Sequence, residues 1–561
     1  MHIFIANGQF YTRVPGGTTM TEVPLPTGVT AVANVRPCFA RYSRLTYIVG
    51  RFTPGLCYRS DVAQLFKPGL TRPTAAVTIA AGAGAVTSTG TKYRITWAHW
   101  SGTTLIHESN PSPESNEIVV SNGGFSIANI PATAPDERTT HANLYRSDNG
   151  GQYGFDQKVA LGVTTATSSL ATLSLGNPLP YTTAGALDEY ARGVPPYTKF
   201  VETYHDRMWF AGDPNYPRRV WYSRLAEPES LDPRDKTGNY IDTRDGEAVT
   251  GLKRVGDLLA VFTSSATYVI QGYSDGADGT GPGDFTMVKV SPSIGCIANS
   301  AIVNVGGPRG GDLIYFPAQD GIWAYNGSSF SYQLEDLRSY WRDAYIADKA
   351  NYENSTAIFD RFHGTYKLLI PAADSSFYYI GKPSPAGGQP DWCFDVRGRR
   401  DYSLGLLAAA NSSFFETYTG SCDGYARKEN QELVGDDDGI DKICKWRPRH
   451  YYFAGIAGGQ NHGQTFVDVD FYGKHETTGM TLYLNAGDDL AGGAVTAQCE
   501  RTIQAAAVAT FAAETAIFSP LEKVSGRGIS IQAEGTNSIG WEINGFGVSF
   551  RQGPNTRNKV T

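Results

Sequence analysis

Along nearly the whole chain the apolar residues follow a strand rhythm. Short runs rich in Val, Ile, Tyr, Phe and Thr are broken by Gly, Asp, Asn, Pro or Ser every eight to twelve residues, the pattern of an all-β protein. Leu258–Phe262, the turn Ser264-Ser265 and Thr267–Ile270 predict a hairpin. So do Leu313–Phe316, Asp320-Gly321 and Ile322–Tyr325, ending on Asn326-Gly327, and Tyr366–Ile370, Asp374–Ser376 and Phe377–Ile380. Gly and Asn at the turns supply positive φ cheaply, which tight hairpins require. One segment breaks the rhythm. Between Gln333 and Lys349, Leu334, Leu337, Trp341 and Tyr345 recur at spacings of three and four, with Glu335, Asp336, Arg338 and Arg342 between them. This predicts an amphipathic helix of about four turns that packs across a sheet edge or a neighbouring subunit.

The hairpins repeat. Taken as the first strands of successive units, they begin near Arg207, Asp257, Asp312, Gly364 and Ser413, at intervals of 50, 55, 52 and 49 residues. A β-repeat of this size is the range of propeller blades. Arg44–Val49 joins the series once Thr71–Gly185 is removed, so that block reads as an insertion in the first blade. Its alternating Tyr93, Ile95 and Trp97, its Pro-rich turn and about seven short strands predict an immunoglobulin- or fibronectin-like sandwich. Pro68-Gly69 and Gly193–Pro196 mark its hinges. The expected organisation is N-terminal strands and a first blade over 1–70, the inserted sandwich over 71–185, the main blades over 186–450, and a C-terminal β region over 451–561 forming closing blades or a small β-domain. The expected fold is an all-β propeller of about six blades.

Composition narrows the function classes. The 561 residues are 41% hydrophobic, 12% aromatic and 18% charged, enough to bury a large core and too ordered in composition for a disordered chain. No apolar run approaches the ~18–20 residues of a membrane span, so no membrane insertion is expected. The segment Met1–Gly8 lacks a basic n-region and an apolar h-region, so the expectation is a soluble protein made in a cytoplasm. A net charge of −7 disfavours gripping nucleic acid through its phosphates, though not letting DNA slide past. Cys38, Cys57, Cys296, Cys393, Cys422, Cys444 and Cys499 are odd in number and scattered, signalling neither a zinc site nor a disulfide framework.

Catalytic and metal motifs are looked for and not found. His475-Glu476 and His107-Glu108 open an H-E-x-x-H pattern, but Gly479 and Pro111 stand where the second histidine belongs, so both histidines read as solvated loop residues. Gly420-Ser421-Cys422-Asp423-Gly424 mimics a nucleophile elbow but lies between two strands, which makes it a hairpin tip. Gly306–Asp312 is glycine-rich without Gly-Lys-Ser/Thr or a following helix, a connector. Asp436–Gly439 and the stretch Asp275–Asp284 are calcium candidates, yet neither has the alternating ligands of an EF-hand, and both read as exposed turns. Arg218-Arg219, Arg397–Arg400 and Arg447–His450 read as turn-flanking salt bridges, with acidic neighbours or passing phosphate as the functional alternative. No catalytic, cofactor or metal residue is assigned, and the chain is not expected to be an enzyme.

Several segments together resemble a known family. Tyr204–Gly212 followed by Arg219–Ser223 and Glu227-Pro228-Glu229 is similar to a blade hairpin of phage β-propeller tail proteins. Ser293–Cys296 before Gly311–Phe316, Asp320–Gly327, and Asp436–Gly439 leading to Trp446 fit the same pattern. Glu108–Pro113 and Leu144–Asp148 resemble fibronectin-like modules of such proteins. The resemblance spans most of 36–450 and is to the tail nozzle, also called tail hub or tail tubular protein, of short-tailed bacteriophages. It implies a homohexameric ring in the virion tail, assembled in the host cytoplasm. The ring would enclose the channel for genome exit without specific DNA binding, and would meet a portal adaptor and tail fibres or spikes. The family offers no catalytic residue to carry over. The alternative is a carbohydrate-binding or glycan-hydrolysing propeller of a phage tail, supported by 9 Trp, 32 Tyr and 26 Phe. A cellular propeller of the WD type is disfavoured, because no Gly-His…Trp-Asp pattern recurs.

Overall fold

The computed structural model describes residues 2–428 except 61–62, 180–194, 232–239, 274–283, 307–312, 362–363, 383–389, 398–399, 409–414, 423–425 and a few single positions; beyond 428 it describes strand segments alone. The chain divides into two units, Met1–Lys428 and Glu429–Thr561.

The first unit is a propeller. Among the described residues it holds five four-stranded antiparallel sheets in simple up-and-down order, a three-stranded sixth, and a three-stranded N-terminal sheet of His2–Ala6, Gln9–Arg13 and Thr21–Val23. Blade 1 is Cys38–Tyr42, Leu45–Val49, Leu56–Arg59 and Gln64–Phe66; blade 2 is Phe200–Tyr204, Arg207–Ala211, Arg219–Tyr222 and Tyr240–Asp242. Blade 3 is Val249–Val255, Leu258–Thr263, Thr267–Tyr273 and Asp284–Ser291; blade 4 is Val303–Asn304, Ile314–Ala318, Gly321–Tyr325 and Phe330–Tyr332. Blade 5 is Thr356–Asp360, Thr365–Pro371, Ser376–Lys382 and Asp391–Arg397, and blade 6 is Asp401–Ala408, Phe415–Ser421 and Ala426–Lys428. The repeat therefore starts one strand earlier than its most apolar run. Leu45, Arg207, Leu258, Ile314, Thr365 and Phe415 open second strands, not first ones.

The second strands of blades 2, 3 and 4 are almost wholly apolar because both of their faces are covered. In blade 2, Met208 and Phe210 pack with Tyr47, Cys57 and Phe66 of blade 1, while Trp209 and Ala211 pack with Leu259, Val261 and Tyr268 of blade 3. In blade 3, Leu259 and Val261 face blade 2, and Ala260 and Phe262 face Ile314 and Phe316 of blade 4. A period-2 strand buried on both sides loses its alternation and becomes a continuous hydrophobic run.

The predicted helix is present in two pieces, α1 (Arg338–Ala347) and α2 (Lys349–Glu353), after a single 3₁₀ turn at Glu335–Leu337. It breaks at Asp348, whose backbone (φ −141°, ψ 52°) leaves the helical region. Trp341 and Tyr352 join the core shared by blades 4 and 5, and Trp341 Nε1 donates to Ala318 O at 3.2 Å. The helix thus packs on the chain's own blades.

The inserted block follows the completed first blade and precedes the second. It is built around one 24-residue strand, Thr78–Ser101. The strand's first half pairs with Ile118–Ala128 and its second half with His141–Asp148, so one sheet curls over itself. Ile79 and Val86 from one half meet Ile95 and Trp97 from the other in the core. The bend is made at register shifts after Gly82, where Gly124 lies so close to the opposite strand that a Cβ would collide with the Ala83 carbonyl oxygen. The Pro-containing segment after Glu108 cannot be a regular strand, since Pro111 and Pro113 lack N–H groups. Serines replace the missing pairing. The amides of Ser109, Ser112 and Ser115 donate to the carbonyls of Trp97, Ile95 and Tyr93, and their hydroxyls accept from the same three residues' amides at 2.9–3.0 Å.

Among the described residues the last blade strand ends at Lys428, where the expected main blades ran to residue 450. Ile440–Trp446 pairs with Gly528–Asn537, which places it in the second unit. That unit contains a six-stranded sheet around Gly528–Asn537 and Met480–Gly487, and a four-stranded sheet around Gln464–His475, with Trp541–Gln552 and Ala512–Ile517 as its neighbours.

Gly124→Ala is expected to lower the stability of the inserted sheet by about 1–3 kcal/mol, because backbone rather than a flexible side chain must move. Gly405→Ala, in the first strand of blade 6 with open space around its Cβ position, should leave the propeller's stability unchanged. Thermal unfolding of the two variants checks this.

Candidate functional site

Two polar clusters stand out, and both join elements distant in sequence. The first lies where the first strands of successive blades adjoin. Glu202 (blade 2) and Lys253 (blade 3) form an ion pair at 3.1 Å, part-exposed on both sides. Asn299, on the turn before blade 4, accepts from the Leu252 amide at 3.0 Å and donates to Cys38 Sγ of blade 1 at 3.4 Å. Burial opposes the charge on Lys253, but Glu202 outweighs it and holds the ammonium above its usual range. Burial pushes the Cys38 thiol up, so it stays protonated at neutral pH and is a poor nucleophile. Around the same ring Arg36 Nε donates to Asn354 O at 2.8 Å and its guanidinium lies 4.6 Å from the Tyr402 ring centre of blade 6. The arrangement stitches blades together and leaves no activated group.

The second cluster fixes the insertion to the propeller. Arg138 of the insertion meets Glu229, which follows the third strand of blade 2, through two parallel bonds of 3.0 and 2.6 Å. The Arg138 Nη2 also donates to the carbonyls of Lys67 and Gly69, and its guanidinium lies over Phe66 at the end of blade 1. Glu229 accepts further from the Gly69 amide at 2.7 Å and from Tyr47 OH at 3.1 Å. Beside this pair, Lys67 reaches Asp136 at 2.8 Å and the Thr71 amide donates to Asp136 at 2.7 Å. Burial alone would raise the Glu229 carboxyl, but the Arg138 charge, with His107 and the hydrogen bonds, brings it down to about 2.

The residues singled out by sequence fall mostly into structural roles. His107 and Glu108 are not solvated loop residues: they end the strand Thr104–Glu108. His107 Nε2 lies 3.8 Å from Glu229, and Glu108 turns into the insertion's core, where its Oε1 accepts from Thr96, Asn143 and Tyr145. The alternation that buries Glu108 was masked by Pro111 and Pro113. Ser421 closes a strand and donates to Asp401 at 2.6 Å, and Cys422 is exposed in the turn after it. Arg219 is bonded to Asp242 and lies 3.5 Å from the Tyr240 ring centre. In Leu144–Asp148, Arg146 and Asp148 form a buried ion pair at 3.0 Å. Residues 275–283, 307–312, 398–399, 423–424, 438–439, 447–450 and 476–479 lie outside the described residues, and with them part of each calcium candidate and of two arginine clusters; Asp436-Asp437 form a short strand and Asp284 opens another, so these are not turn residues. Among the described residues no three His, Cys, Asp or Glu side chains gather as a metal site, and no helix is long and apolar enough to cross a membrane.

No family model and no curated relative matches the sequence. Similar solved structures include the Nup133 β-propeller domain of Vanderwaltozyma polyspora (12% identity, 52% of this chain and 84% of that one, TM-score 0.23). The extracellular domain of a putative one-component system from B. thetaiotaomicron (9% identity, 94% and 79%, TM-score 0.25) is another, and so is a structure described as a glycoside hydrolase (9% identity, 91% and 97%, TM-score 0.14). Likenesses this distant carry no argument about this chain; the propeller rests on its own sheet order.

The Glu229 carboxyl sits below its unfolded value, so its contribution to folding is complete above about pH 4.5 and is lost as the pH falls toward 2. The shift corresponds to about 3 kcal/mol. Limited proteolysis of the junctions at 67–71 across that pH range should show the insertion coming loose. Glu229→Gln should abolish the pH dependence and leave the junction cleavable at neutral pH.

Proposed function

We propose that the chain is a structural subunit of a bacteriophage tail nozzle. Copies assemble into a ring in the virion tail, the ring encloses a passage for DNA, one end meets the portal adaptor, and the periphery carries fibres or spikes. Assembly takes place in the host cytoplasm, and the ring has six copies by the resemblance noted above. The observation that carries the reading is the clamp of Arg138 and Glu229. It makes one stiff body from two lobes, a propeller and a curled sheet, that expose different surfaces. A closed ring needs such a body, because head-to-tail contacts join unlike faces of adjacent copies. The short outer edges of most blades let many copies pack without indiscriminate strand pairing. The residues of the resembling segments act in architecture: His205 and Asp206 take positive φ in the turn between the first two strands of blade 2, and Gly212, at φ +77°, ends the second strand. A modest negative charge suits a passage that must not hold its genome. The proposed role includes no bond-making chemistry.

Electron microscopy of the purified full-length protein is expected to show hollow rings, with a mass by light scattering near six copies. A monomer that stays monomeric at high concentration, or turnover of a glycan abolished by one carboxylate substitution, would replace this reading with the carbohydrate-active one.

A further inference from the structure

The N-terminal sheet stands beside the blades and is held differently on its two sides. Blade 1 packs Tyr47, Cys57 and Phe66 against blade 2. On its other face Ile48, Leu56, Tyr58 and Leu65 are buried under Phe10 and Val23 of the N-terminal sheet, with Ile3 and Ile5 against the same core. The Phe10 and Tyr58 ring centres are 5.2 Å apart. The sheet thus takes the place beside blade 1 that a neighbouring blade would take.

Its contact with blade 6 is of another kind. Arg13 ends the strand Gln9–Arg13, and its guanidinium lies 5.1 Å from the Tyr418 ring centre in the second strand of blade 6 and 5.2 Å from that of Phe4 in its own sheet. A guanidinium only donates, so His2 Nδ1 accepts from Arg13 Nη2 at 3.3 Å, which holds the side chain to its own sheet. Blade 6 is tied instead to blade 5: the Asp401 carboxylate accepts from Tyr378 OH at 2.6 Å, and its carbonyl accepts from Ser376 Oγ at 3.2 Å. Burial of several apolar side chains outweighs a single cation over a ring. The N-terminal sheet therefore has a strong face toward blade 1 and a weak one toward blade 6.

We propose that this sheet is a strap that closes the propeller: it stays on blade 1, latches to blade 6 through Arg13, and the circle opens and recloses at that latch. Among the described residues neither blade 1 nor blade 6 lends a strand to the other, so no shared ladder locks the seam. Opening elsewhere would expose the cores between blades, such as Trp209 with Leu259 or Phe262 with Phe316. A folded chain opens first where least apolar surface is uncovered. Arg36, whose Nε donates to Asn354 O and whose guanidinium lies over Tyr402 in the first strand of blade 6, is the pivot. The strap is a property of one chain and does not depend on the ring reading above.

Hydrogen–deuterium exchange of the full-length protein tests this in the blade 6 strands Asp401–Ala408 and Phe415–Ser421. Arg13→Ala is expected to speed exchange about tenfold in both strands, including the first, which Arg13 does not touch, while blades 3 and 4 keep their protection. Arg13→Lys, which keeps a cation for the ring, should restore most of the protection. Tyr418→Leu should match Arg13→Ala, and the double variant should exchange no faster than either. Phe10→Leu loosens the strap on blade 1 and should speed exchange in blade 6 as well. Blade 6 exchange unchanged by Arg13→Ala, a Phe10→Leu effect confined to residues 2–66, or an equal rise in blades 3 and 4 overturns the strap.

Discussion

The second strands of blades 2, 3 and 4 have no water-facing side, and that constraint shapes the rest of the first unit. Alternate residues of one strand belong to different cores, as Met208 and Phe210 do on one side and Trp209 and Ala211 on the other. No sheet can keep its side chains dry without both neighbours, so the blades must run in a circle. The first and last blades each draw all their described strands from one end of the unit, and the N-terminal sheet lies at the seam between them. Side chains bridge that seam. Arg36 lies on Tyr402, Arg13 lies 5.1 Å from the Tyr418 ring centre, and Phe10 and Val23 of the N-terminal sheet pack on Ile48, Leu56 and Tyr58 of blade 1. Burial lowers the Arg36 guanidinium to about 10, still well above neutrality, so its charge is retained at the seam.

The clamp between the propeller and the insertion solves a different problem. Two lobes joined by two strands of chain would swing, and an apolar contact alone would hold them without fixing their angle. A carboxylate accepting from a guanidinium fork, an amide and a tyrosine has few alternative geometries. Such buried pairs add little stability over apolar groups of the same size, but removing one partner strands the other in the dry interior. Here the pair contributes direction, which an assembly with a fixed rotation between copies requires.

How much of this the sequence showed follows from where the signal lies. The second strands were legible because they are buried on both sides. The first strands were missed as blade starts because residues such as Glu202 and Lys253, set where neighbouring blades adjoin, interrupt their apolar pattern. The helix was legible through Leu334, Leu337, Trp341 and Tyr345, although its break at Asp348 left no mark on the periodicity. The clamp was invisible: Arg138 and Glu229 lie 91 positions apart, and nothing local distinguishes either from other charged residues. The same holds for Asn299 and Cys38, 261 positions apart. The end of the propeller at Lys428 was also hidden, since the strands beyond it keep the same β rhythm and only their pairing partners change.

The serines after Glu108 show what kind of information such short motifs hold. A proline-containing segment beside the strand Thr78–Ser101 would leave amides of that strand without acceptors inside a packed sheet, at a cost of roughly 1–3 kcal/mol each. Hydroxyls at Ser109, Ser112 and Ser115 accept from three of them, and the same residues' amides return the bonds. The prolines in turn bar the segment Ser109–Ser115 from accepting a further strand, so the inserted sheet is closed there. A resemblance carried by such residues speaks to architecture and to the surfaces left for assembly, and the function proposed for this chain is of that kind.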